Sequence, residues 1–119
     1  MAMLRTQPGQ SVDVGPLGTR LPLEKTIALF KTSQLEVIRL VLRAGKSLPP
    51  HQVAGEITIH CIEGRLDVGA DGRSHVLTGG QLLFLAGGVV HDVKALEDAS
   101  ALVTIVLRKA PPAGEAAVV

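Results

Sequence analysis

The chain has 119 residues, a net charge of +1 and 46% hydrophobic residues, yet no Trp, no Tyr and only two Phe. That is the length of one domain with an aliphatic core; its 12 scattered basic residues and missing stacking aromatics exclude a nucleic-acid surface. One cysteine excludes an intrachain disulfide and a CxxC zinc site, and no apolar run is long enough to span a bilayer, so the expectation is a cytoplasmic protein without membrane contact.

Residues 1–22 carry Pro8, Gly9, Gly15, Pro16, Gly18 and Pro22, which fragment any regular element. They read as an extended arm lying along the body of the protein or along a partner subunit. A strand is expected within 24–32, around Ile27–Phe30, then a tight Ser33-Gln34 connection and a second strand over Leu35–Leu42. Leu35, Val37, Arg39 and Val41 share one face of that strand and Glu36, Ile38, Leu40 and Leu42 the other, so both faces call for cover. After Gly45, Pro49 and Pro50 bring the chain stiffly up to His51.

Ile57 to Ile62 reads as a strand closed by Glu63-Gly64, with Ile57, Ile59 and Cys61 on one face and Thr58, His60 and Ile62 on the other. Leu66–Val68 and His75–Leu77 flank a hairpin turn, Gly69-Ala70-Asp71-Gly72, whose Asp-Gly pair can supply positive φ. Leu82–Leu85, Asp92–Leu96 and Ala101–Leu107 follow as strands, separated by Ala86-Gly87-Gly88 and Glu97-Asp98. Residues 109–119, with Pro111-Pro112 and repeated Ala, read as a flexible tail, which leaves 23–108 for the folded body. Turns every eight to twelve residues and no amphipathic helix predict an all-β sandwich or barrel.

Two stretches answer each other. In the first, Gly45 is followed after five residues by His51 and later by Gly64; in the second, Gly80 precedes Gly88 and His91. The spacing resembles the paired motifs of the cupin superfamily, in particular its small RmlC-like members of the cupin 2 type. The resemblance implies a double-stranded β-helix, the jelly-roll barrel, with His51 and His91 facing one interior. In that family's frame three histidines and a glutamate hold a divalent metal. Here Val53 stands at the second histidine position and Ile57 at the glutamate position, and Glu56 is one place short of that register.

Two of four ligand positions therefore offer methyl groups. A divalent ion (Zn, Fe, Mn or Ni) at His51 and His91 is what the resemblance implies; the residues themselves favour two neutral imidazoles. The expected pocket is His51, Val53, Ile57, Ile59, Cys61 and His91, with Cys61 read as a buried thiol and His60 as an outward residue.

Three functions fit. The first is a small-molecule-binding barrel whose two-histidine end accepts a small acid or carbonyl compound. The second is an enzyme, a metal-dependent oxygenase or a metal-free isomerase or epimerase, with His51 or His91 as acid or base. The third is a dimeric interaction protein with a vestigial pocket. A homodimer is expected in any case, because the outer faces of Leu35–Leu42 and Ala101–Leu107 are too apolar to leave wet.

Overall fold

The β-branched runs become nine strands in a computed structural model that describes residues 6–107. They are β1 (Ile27–Lys31), β2 (Leu35–Leu42), β3 (Ser47–His51), β4 (Ile57–Glu63), β5 (Arg65–Ala70), β6 (Arg73–Thr78), β7 (Leu82–Leu85), β8 (His91–Ala95) and β9 (Ala99–Val106). One sheet has the order β1-β2-β9-β4-β7 and the other β3-β8-β5-β6. From β2 onward the pairs are nested: β5 with β6, β4 with β7, β3 with β8, and β2 with β9, all antiparallel. That is one long hairpin folded over on itself, a jelly roll, and it is the all-β barrel that the turn spacing predicts.

The inward positions of both sheets fill the core. Leu40, Leu42, Ile57, Ile59, Cys61, Leu66, Val68, Val93, Ala101 and Val103 are all buried together. Alanines at 95, 99 and 101 let the two sheets close where bulkier side chains would hold them apart. The turn between β5 and β6 has Asp71 at φ 52° and Gly72 at φ 70°. Both values are positive, as the two-residue turn that matches strand twist requires.

Two elements went unread in the sequence. Pro49 and Pro50 lie inside a strand, β3, rather than in a rigid approach to His51. The sheet tolerates them because β3 is its edge and its pairing with β8 slips between Leu48 and His51. Within the arm, Gly18–Leu23 forms a 3₁₀ turn that buries Leu21. Met1–Arg5 and the expected flexible tail at 109–119 lie outside the described residues.

The arm lies on the outer face of the five-stranded sheet. Thr6 N donates to Leu29 O and Arg39 Nη2 to Asp13 O, while Leu17 N and Gly18 N donate to the Glu63 carboxylate at 2.8 and 3.0 Å. As a result Val37, Arg39 and Val41, the face of β2 expected to need a second chain, are buried within one chain. No helix among the described residues is long and apolar enough to cross a membrane.

Candidate functional site: a two-histidine cavity

His51 ends β3 and His91 begins β8, and the two residues are paired across the sheet. Their meeting depends on an irregularity. Leu48 pairs with Val93, so three residues of β3 span two residues of β8 before His51 reaches His91. Three steps along an uninterrupted strand would turn His51 to the opposite face from Leu48. The extra residue restores the inward face, and Pro49 and Pro50, which have no N–H to pair, occupy the bulge.

The imidazole centroids are 4.4 Å apart with the rings tilted by 54°. His91 is 2% exposed, and His51 is exposed at the mouth. Each Nδ1 lies against a backbone carbonyl two residues earlier: His51 with Pro49 O at 3.2 Å, His91 with Val89 O at 3.0 Å. A carbonyl oxygen can only accept, so in each neutral ring the proton sits on Nδ1 and Nε2 carries a lone pair.

Nε2 of His91 has no hydrogen-bond partner among the described residues. Every fully buried side-chain nitrogen or oxygen among the described residues does have one. Nε2 therefore keeps contact with open space. His91 shares the buried side of β8 with Val93 and Ala95. On that side a cavity of about 240 Å³ lies inside the barrel, lined by both histidines with Thr26, Ile38, Leu40, Leu48, Ile57, Ile59, Val93, Val103 and Ile105. His91 also borders an open groove with Asp67, Asp92 and Lys94.

Of the six expected pocket residues, His51, Ile57, Ile59 and His91 line this cavity. Val53 does not: β3 stops at His51, so strand alternation no longer governs position 53, and Val53 lines an open groove with Thr32, Ala54 and Val106. Cys61 does not either. It is wholly buried one step further along β4, with Sγ 3.5 Å from Glu63 O, and burial pushes its thiol pKa up. Thr26 and the aliphatic residues from β2, β3, β8 and β9 were missed, since nothing local in the sequence says which inward residues meet which end of a barrel.

The donor set does not fit a catalytic divalent site, which takes at least three protein ligands. Beyond the two imidazoles the lining offers only the Thr26 hydroxyl, and that hydroxyl is engaged with the backbone of Val41. Glu56 and Gln52 are exposed and line no part of the cavity. Among the described residues no group of three His, Cys, Asp or Glu is gathered.

A family model described as "Cupin domain" matches residues 38–107. No curated protein matches. Among solved structures, a conserved protein of unknown function from Streptococcus pyogenes superposes with a TM-score of 0.69 at 17% identity, covering 92% of this chain and 100% of that one. An RmlC-like cupin from Desulfovibrio desulfuricans gives 0.68 at 22%, covering 82% and 96%. KdgF from a Halomonas species gives 0.63 at 21%, covering 71% and 78%. At such identities these likenesses speak for the fold alone. The family match spans more than half the chain, over the barrel that carries both histidines: the protein belongs to the cupin domain family.

Proposed function

We propose that this cupin is a small-molecule-binding barrel whose polar end is the pair His51 and His91. The observation that carries the reading is the apolar cavity of about 240 Å³ lined by both imidazoles, with His91 Nε2 lacking a partner among the described residues. Its size suits a ligand a little below the usual pocket range, and the ligand's apolar body would meet Ile57, Ile59, Val93 and Val103. A thermal-shift panel of small alcohols, acids and ketones tests this. At a concentration about a hundredfold above Kd, a ligand stabilises by about 2.7 kcal/mol, which raises Tm by roughly ten degrees or more in a domain this size. Val103→Phe, which fills the cavity, should abolish the response. Stoichiometric metal surviving dialysis of untagged protein would overturn the reading in favour of a metalloenzyme.

We infer also that two copies associate through the outer face of β4, β7 and β9. Leu82 (63% exposed), Phe84 (58%) and Val106 (40%) lie there beside His60, and no outward position on those three strands before Glu63 is charged. An uncharged, apolar patch can face its own copy across a twofold axis without like-charge repulsion. Sedimentation should show twice 12.4 kDa for the native chain and 12.4 kDa for Phe84→Glu. A native monomer at micromolar concentration would remove the dimer.

A further inference from the structure

The hydrogen-bonding sense of the pocket narrows its ligand, on the reading that the cavity binds a small molecule. We infer that the ligand is a neutral molecule headed by a hydrogen-bond donor, such as an alcohol or phenol, of up to about eight water volumes, rather than a ketone, an ester or an anion. Pro49 O and Val89 O each lie within hydrogen-bonding distance of a histidine Nδ1, at 3.2 and 3.0 Å, and a carbonyl demands the proton.

What remains for a ligand is Nε2 of His91, with Nε2 of His51 at the exposed rim, and in the neutral rings both are acceptors. An acceptor is satisfied by an O–H or N–H; a ketone, ester or carboxylate oxygen brings only more lone pairs and stays unpaired at a cost. Nothing else in the lining reverses this. The remaining side chains are aliphatic apart from Thr26, whose Oγ1 accepts from Val41 N at 2.9 Å and donates to Val41 O at 3.2 Å. The charged residues near His91, namely Asp67, Asp71, Arg73, Asp92 and Lys94, line a groove on the outer side of the four-stranded sheet, which His91 and Pro50 also border. None of these charged residues lines the cavity.

A matched pair of probes decides it. Cyclohexanol and cyclohexanone have the same ring and nearly the same size but differ in donor capacity. In calorimetry at pH 8, where an ordinary imidazole is neutral, the alcohol should bind the native protein at least tenfold tighter than the ketone. In His91→Leu that preference should collapse to within about twofold. Long-range proton–nitrogen NMR of the native protein gives a second measurement that needs no variant: both rings should show the Nδ1–H form. Equal or tighter binding of the ketone, or an Nε2–H form at His91, would overturn the inference while leaving a small-molecule pocket standing. If neither probe binds or raises Tm, and no compound of the wider panel does, the pocket reading falls and this inference with it.

Discussion

Gly64→Ala is expected to destabilise the barrel by at least about 3 kcal/mol. Gly64 is the single residue linking β4 to β5, where the chain leaves one sheet for the other, and its φ is +79°. A residue with a Cβ pays about 1–2 kcal/mol for that conformation. A Cβ at 64 would also lie 2.1 Å from Asp98 O and 2.8 Å from Ala99 Cα, backbone atoms of the neighbouring link between β8 and β9. Both sheet crossings would have to move apart, which strains two connections at once. Gly72→Ala serves as the control: its φ is +70°, but a Cβ there meets nothing within 4 Å. Urea unfolding of the two variants separates the terms. Gly72→Ala should lose only the conformational part, about 1–2 kcal/mol. Equal losses at both positions would mean that close approach of the crossings contributes nothing.

Gly64 also shows why so much of the fold could be read from one sequence. The frame of the two motifs is largely glycine because the chain needs left-handed backbone where it changes sheet, and only spacing must be preserved for the strands between to pair. That is why Leu35–Leu42 and Leu82–Leu85 were legible to the residue. The histidine pair was legible for the same reason. How the pair is built was not: the bulge that turns His51 inward is a property of pairing with β8, and no local rule reveals a slipped register in a strand that carries two prolines. The same limit applies to Val53, which the motif spacing puts beside the histidines although its strand ends two residues earlier. Glu63 is the plainest case. Beside Gly64 it reads as turn chemistry, but a second irregularity, between Cys61 and Glu63, pairs it with Ser100 on the outer face.

There Glu63 gathers the arm, and its removal should carry the second large effect. Its carboxylate accepts from Leu17 N, Gly18 N and the buried Ser100 Oγ, on the same face as the largely buried Arg39. Hydrogen bonds to a charged group are worth about 1.5–3 kcal/mol each, and Glu63→Ala leaves the Ser100 hydroxyl without its acceptor. The expected loss at pH 7 is about 3 kcal/mol, with faster tryptic cleavage at the exposed Arg20 as the arm lifts. Burial alone raises the Glu63 pKa, but the Ser100 hydroxyl, the two amides and the Arg39 charge outweigh it and hold the carboxyl below its ordinary value. A pKa lower in the folded than in the unfolded chain gives stability that is fully present above the unfolded value of about 4.3 and lost as pH falls through the folded one. The gap between native and Glu63→Ala should therefore be widest at pH 6–7 and narrow below pH 4, and Glu63→Gln should lie between them at neutral pH. A deficit of the same size at pH 7 and pH 3 would show that Glu63 holds the arm through its uncharged contacts rather than through its charge.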